Sequence, residues 1–446
     1  MRIIHTSDWH LGQHFYGKSR AKEHKAFLAW LIDQVDKHQV DAVIVAGDIF
    51  DTGNPPSYAR ELYYNFITEL QQLERPCELV VLAGNHDSTT MIGESKTLLN
   101  QFSTFVIPAV TPNVNEQVFM LNRMGTGENK AVICAVPFIR PRDVITSYAG
   151  RSAKEKQQHL QQGITEHYQT LYNAADEIAG DRFPIIATGH LTTVGASTSD
   201  SVREIYIGTL DAFPASHFPK ADYIALGHIH QMQTIAKSDH IRYSGSPIPL
   251  SFDEAKQDKV VLMVDVIKGA SPVIEPLVIP RFQGMAMVKT SVDDVVFEIE
   301  QLIAQIAKHK VTTDNAGVAT IWLDIEIETT EYRSDIQAKI TEQLKPYIDK
   351  QLIEILLIRR SKSQRQQLLD KQEKITLDEL KPLDVFQERL KQSGLDDENN
   401  TGNTQAHKAK LIGLFNQALA EVEEKQTAPL QNSVSLLKMQ SDVEAK

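Results

Sequence analysis

The chain has 446 residues and a formal net charge of −12, with 42% apolar and 23% charged residues. Its length suits roughly three domains, and its composition is that of a soluble globular protein able to fill a sizeable core. The negative balance excludes a chain that grips polyanions over its whole surface; no stretch approaches the ~18 apolar residues of a membrane helix, and two cysteines are too few for a disulfide framework.

The first apolar run, Arg2-Ile3-Ile4-His5-Thr6-Ser7-Asp8-Trp9-His10, starts at once, and His5 and Asp8 interrupt it, so no signal peptide is expected. An amphipathic helix follows from about His24 to His38, with Phe27, Leu28, Leu31 and Val35 on one stripe. The second run is Ala42 to Asp48. A helix from Tyr58 to Gln72, carrying Leu62, Phe66 and Leu70, leads to the third run, Leu79 to Asp87. Cys77 and Cys134 lie in strand-like contexts and are expected as small buried residues, in keeping with a reducing compartment. Pro184 to His190 and Tyr223 to His230 are the fourth and fifth runs, and Lys259 to Val266 reads as a late strand finishing the core. Continuous apolar runs of this length predict strands buried on both faces, and their alternation with helices predicts βαβ units.

Prolines 272, 276 and 280 separate this core from a smaller unit. From Met285 to Arg360 the pattern is strand, helix, strand, helix, strand. Ile321, Leu323, Ile325 and Ile327 alternate with Trp322, Asp324, Glu326 and Glu328; Val295, Ile299, Leu302 and Ile306 form one helical stripe, and Ile336, Ile340 and Leu344 another. Two helices on one face of a small sheet are expected, with the opposite face more polar. Beyond about Ser361, Leu383, Phe386 and Leu390 mark a short helix, and Leu411, Phe415, Leu419 and Val422 another; such helices must dock, either on the same chain or on a partner.

Each of the five runs ends in a residue able to bind a metal, and four carry a glycine just before it. In open α/β sheets ligands gather beyond the carboxyl ends of the strands, so Asp8, His10, Asp48, Asn85, His190, His228 and His230 are expected at one sheet edge. Any one of these histidines alone is more often an ordinary core or surface side chain; the joint pattern carries the expectation. Seven ligands exceed the needs of one ion. Asp48 stands alone at its strand end and is the natural bridge between two, and a set without cysteine suits manganese, iron or zinc.

In this order, Asp-x-His, Gly-Asp-x-x-Asp (Gly47 to Asp51), Gly-Asn-His-Asp, Gly-His and Gly-His-x-His resemble the signature of the calcineurin-like metallophosphoesterases. The stretches 5–12, 50–53, 137–143 and 245–252 resemble, more narrowly, the SbcD family of nuclease subunits, and this resemblance spans about residues 1–390. It implies an α/β fold with a four-layer αββα metallophosphoesterase core over residues 1–278. An α/β DNA-contacting cap would follow at 279–362, then a helical segment at 363–425 docking on an ATPase partner, and a disordered tail at 426–446. It also implies that Asp8, His10, Asp48 and His230 hold one divalent ion, and Asp48, Asn85, His190 and His228 a second, both usually manganese. His86 would stabilise the transition state and protonate the leaving oxygen, with Asp87 orienting it, while Asp51 is either a loop-capping carboxylate or an orienting one.

The implied activity is that of an ATP-dependent double-strand exonuclease (3′ to 5′) and single-strand or hairpin endonuclease in DNA repair, replication and recombination. Its partner would be an SbcC-type ABC ATPase, and the chain would form a dimer within a heterotetramer, cytoplasmic and nucleoid-associated when on DNA, with no membrane contact. Arg140 and Arg142 flank Pro141 on a stiff loop, and Lys18 and Arg20 follow the first motif, so these four are the candidate DNA contacts. Arg359, Arg360, Lys362 and Arg365 read as a solvated face. Two other readings stand beside this one: a phosphatase of small molecules or phosphoproteins on the same metal core, and a non-catalytic scaffold.

Overall fold

The structure, a computed structural model, describes residues 1–123, 128–145, 153–202, 212–308, 320–328 and 336–360, together with Phe386, Leu411 and Phe415. Four parallel strands come first: β1 (Arg2–Thr6), β2 (Ala42–Ala46), β3 (Glu78–Leu82) and β4 (Thr104–Ile107). Helices α1 (Ala21–His38) and α2 (Ser57–Gln71) make the first two crossovers. The chain then builds a second sheet from β5 (Val118–Arg123), β6 (Glu128–Cys134), β7 (Ile185–His190), β8 (Tyr223–Gly227), β9 (Gln233–Thr234) and β10 (Ile241–Tyr243). Helix α3 (Ala153–Ala179) lies between β6 and β7 in the chain. It returns to the first sheet with β11 (Val260–Asp265), antiparallel to β1, and β12 (Val273–Val278). Among the described residues the sheet orders are β12-β11-β1-β2-β3-β4 and β9-β10-β8-β7-β6-β5.

Strand alternation makes the layers. Ile4, Val43, Val45 and Val81 pack with Phe27, Leu31 and Phe66 of α1 and α2. Their neighbours Ile3, Ile44 and Val80 face Ile133, Ile186 and Tyr223 of the second sheet. The far face of that sheet, with Val132, Ala187 and Ile224, takes the α3 stripe Leu160, Ile164, Tyr168 and Leu171. The result is helix, sheet, sheet, helix. Periodicity alone placed the five ligand-bearing runs at one sheet edge; the structure divides them, three in the first sheet and two in the second, because an apolar run does not encode which sheet it joins.

A three-stranded sheet follows, made of β13 (Met285–Thr290), β14 (Ile321–Ile327) and β15 (Ile353–Arg360) with β14 central, with helices α4 (Val295–Lys308) and α5 (Ile336–Asp349) between its strands. Val295, Ile299, Ile340 and Leu344 cover Leu323 and Ile325. The opposite face of β14 is not open to water, as its alternation suggests: Trp322 and Asp324 are buried, and the Trp322 ring stacks on Phe15 at 6.0 Å beside Phe252 and Met285.

Residues 1–327 and 334–358 form one compact unit; residues 328–333 and 359–446 form a second, in which the rings of Phe386 and Phe415 stack at 4.1 Å. The expected helical positions Leu383, Leu390, Leu419 and Val422, the rest of segment 363–425, the tail 426–446, and Lys362 and Arg365 lie outside the described residues. Cys77 and Cys134 are buried free thiols, and burial pushes the Cys134 thiol up to about 12. Among the described residues no helix is long and apolar enough to cross a membrane.

Candidate metal centre

The carboxyl ends of β1, β2, β3, β7 and β8 meet at one place. Asp8, His10 and His230 bring one potential ligand atom each to within 4.8 Å of one another, and so do Asp48, His190 and His228. Asp48 Oδ2 lies 3.7 Å from His10 Nε2 and 3.3 Å from His190 Nε2, between the two groups. Asn85 Oδ1 closes the second group, 2.9 Å from His190 Nε2 and 3.1 Å from His228 Nδ1. All seven residues expected from the sequence are therefore brought together.

The local backbone explains why these residues crowd. Asp8, His10, Asp48 and His228 all have positive φ, at 53°, 47°, 50° and 93°, a costly conformation that turns each side chain back across the strand ends. The preceding glycines are required by close approach. A Cβ on Gly84 would stand 2.1 Å from Asp48 Oδ1, and one on Gly227 would stand 1.9 Å from the Ala46 carbonyl oxygen. Asp8 is steadied by the His228 backbone N–H at 2.9 Å and by the Ser7 hydroxyl at 2.5 Å.

The donor set fits cations. His190 Nδ1 lies 2.9 Å from the Ala46 carbonyl, to which it can only donate. A neutral ring then aims its Nε2 lone pair at two oxygens, Asn85 Oδ1 and Asp48 Oδ2, an arrangement that lacks a positive centre. Burial opposes a charged ring there, yet the Asp48 carboxylate outweighs it and lifts the His190 pKa to about 9; Asp48 is correspondingly held well below the ordinary carboxylate range against its own burial. A proton takes the place that a cation would fill. His10 Nε2 and His228 Nε2 are buried without a hydrogen-bond partner, which is costly unless something else coordinates them.

The remaining assignments divide. His86 sits at the rim, its backbone N–H 2.8 Å from Asp48 Oδ1, its ring edge-on to His10 and its Nδ1 2.7 Å from the Asp51 carbonyl oxygen. Asp87 does not orient that ring. Its buried carboxylate accepts from the backbone amides of Gly84, Ile49 and Phe50 at 2.8, 3.1 and 3.0 Å, pinning the β2 and β3 loops together. Asp51 meets two of the rings, its carbonyl oxygen accepting from His86 Nδ1 and its carboxylate lying 3.2 Å from His10 Nδ1.

Of the basic residues, Arg20 is fully buried, ion-paired to Glu23, bonded to the Pro249 carbonyl and set over the Phe15 and Trp322 rings, so it cannot reach DNA. Lys18 pairs with Glu354 of β15. Arg140 lies over the Phe138 ring with a guanidinium nitrogen 3.4 Å from the Asp87 carbonyl, beside the centre, and Arg142 is 79% exposed.

Two partners of the ligands gave no signal in the sequence. Ser201 Oγ lies 2.6 Å from His230 Nδ1 and 2.5 Å from the buried Glu254 Oε1. Neither stands at a strand end or in a recognisable motif.

Residues 1–232 match the family model described as calcineurin-like phosphoesterase, and residues 281–393 match one described as type 5 capsule protein repressor C-terminal domain. The chain is 51% identical over 403 residues to the SbcD subunit of the nuclease SbcCD of Escherichia coli (strain K12), an alignment covering 89% of this chain and 94% of that protein. The SbcD subunit of Bacillus subtilis (strain 168) is 31% identical, with 75% of this chain and 81% of that protein covered. For its counterpart in Rhodobacter capsulatus the figures are 34%, 62% and 69%.

Proposed function

Because this chain belongs to the calcineurin-like phosphoesterases and, among them, to the SbcD nuclease subunits, we propose that its metal centre cleaves DNA phosphodiesters with two divalent ions, manganese by preference. Asp8, His10, Asp48 and His230 would hold one ion, and Asp48, Asn85, His190 and His228 the other. The observation that carries this reading is the position of Asp48 Oδ2 between the buried imidazoles of His10 and His190, in a cluster where His10 Nε2 and His228 Nε2 have no hydrogen-bond partner. Two ions there would lower the pKa of a water and neutralise charge on the phosphate oxygens.

The chain's own residues do the rest. The Asp51 carbonyl accepts from His86 Nδ1, so a protonated ring keeps a second N–H on Nε2, which could donate to a leaving oxygen. Asp87 fixes the loops that carry Asp48 and Asn85. Arg140 and Arg142 are the candidate phosphate contacts, with Arg140 the nearer to the centre.

The chain acts with an SbcC-type ABC ATPase as a dimer within a heterotetramer, on DNA ends and hairpins, in repair, replication and recombination in the cytoplasm. The divisions at 278, 362 and 425 belong to the same reading, with 279–362 as the DNA-contacting cap and 363–425 as the docking segment. A match over residues 281–393 supports it against a small-molecule phosphatase, which needs no such appendage.

The test is purified chain with manganese and hairpin-ended duplex, with and without the ATPase. Cleavage stimulated by the partner and ATP is expected; an inert duplex in every arm overturns the proposal. Asp48→Ala is expected to lose both ions together by elemental analysis, and one fully retained ion refutes the bridging assignment.

A further inference from the structure

Glu254 is fully buried, and its carboxylate gathers donors from several segments of the chain. Oε1 accepts from the hydroxyls of Ser199 and Ser201 at 2.7 and 2.5 Å. Oε2 takes the Lys259 ammonium at 2.5 Å and the Leu250 N–H at 3.1 Å. Lys259 also donates to the His230 carbonyl oxygen at 2.8 Å, so the same assembly holds the backbone of that residue.

The proton count is the decisive point. Ser201 has one hydroxyl hydrogen, and a carboxylate oxygen 2.5 Å away that has none of its own can only receive it. The lone pairs of Ser201 Oγ then face His230 Nδ1 at 2.6 Å, a separation that requires a hydrogen on the ring nitrogen. With Nδ1 protonated, the neutral ring carries its lone pair on Nε2.

We infer that Glu254 and Ser201 are positioning residues that fix the tautomer of His230, committing its Nε2 to metal binding before any ion arrives. This rests on the reading of His230 as a ligand. It also makes the short loop holding Ser199 and Ser201 part of the centre: withdrawing that loop releases Nδ1 and loosens one ion, the one shared with Asp8 and His10, while leaving the other in place.

The test uses full-length chain with ring-¹⁵N-labelled histidine, metal-free and at mildly alkaline pH, with the His230 signals identified by their absence in His230→Gln. Wild type is expected to carry the ring proton on Nδ1. In Glu254→Gln the side-chain amide can donate to Ser201, which turns its hydrogen to the ring and moves the ring proton to Nε2. Calorimetric manganese titration should then show one of two sites weakened about 10- to 100-fold and the other unchanged.

Ser201→Thr, which keeps the hydroxyl, should behave as wild type. If Glu254→Gln fails to fold for want of a partner to Lys259, Ser201→Ala carries the test: it leaves the Glu254–Lys259 pair and should weaken the same site. A wild-type ring protonated on Nε2, or Ser201→Ala with both manganese affinities unchanged, overturns the inference. Wild type that binds no manganese takes down the metal reading instead, since the tautomer is read without metal.

Discussion

Asp87 follows His86 in the chain, yet its carboxylate points the other way, into three backbone amides. The family resemblance implied that Asp87 orients His86; its carboxylate instead accepts from those amides, and His86 Nδ1 lies 2.7 Å from the main-chain oxygen of Asp51, a contact that no side-chain pattern could reveal. The seven ligand positions were legible because each ends an apolar run; their positive φ values were not, since only the folded strand ends demand them. His86→Ala is expected to abolish cleavage while leaving metal content near wild type, because Asp48 and His10, whose ligand atoms lie within 4.8 Å of a His86 ring nitrogen, keep their other partners; unaltered turnover would remove it from the mechanism. Asp87→Ala strips the acceptor from three buried amides. Burial, with the Asp48 charge, already raises the Asp87 pKa to about 6, so part of the loss is offset. A destabilisation of about 1–3 kcal/mol is expected in urea unfolding of the metal-free chain, and a wild-type midpoint would contradict the clamp.

At the scale of elements, hydropathy reads well and partnership reads poorly. The helix expected at 24–38 begins at Ala21, and the strand expected at 259–266 spans Val260–Asp265. Helix α3 has a clear stripe at helical spacing, yet nothing in it announces which sheet it covers. Likewise Trp322 and Asp324 obey strand alternation but are buried, Trp322 against Phe15 and Phe252 rather than water. Two elements carry buried histidines with a pH consequence. Burial lowers His5 of β1 and, with the neighbouring Arg20 charge, His24 of α1 from 6.5 to about 3. A base depressed in the folded state contributes stability that is complete above its unfolded pKa and is lost as pH falls from 6.5 towards 3. By about pH 5 each ring should cost about 2 kcal/mol. His190, shifted upward, acts in the opposite sense, so the comparison must be made against a variant. His24→Leu is expected to lose less stability than wild type between about pH 7 and about pH 5, by roughly that amount, and parallel curves would show His24 charged or solvated in the fold.

Over the whole molecule, a net charge of −12 sits beside a centre built to receive a polyanion. The structure sharpens that tension, because Arg20 is spent inside the protein and Lys18 is paired. Of the four candidate contacts, Arg140 lies beside the centre and Arg142 is exposed, and two cations are few for a salt-resistant grip on duplex. Deleting residues 377–425 is expected to abolish ATPase binding in pull-down while leaving manganese binding intact; retained binding would remove the docking role from this segment. The four-layer core was legible only through the family resemblance, since periodicity alone merged two sheets into one.

That division of the ligands has a consequence for synthesis. The first metal-binding side chain leaves the ribosome with residue 8 and the last with residue 230, and they meet only once two separately built sheets have closed on each other. In any fragment that stops short of His230 the group of Asp8, His10 and His230 cannot assemble.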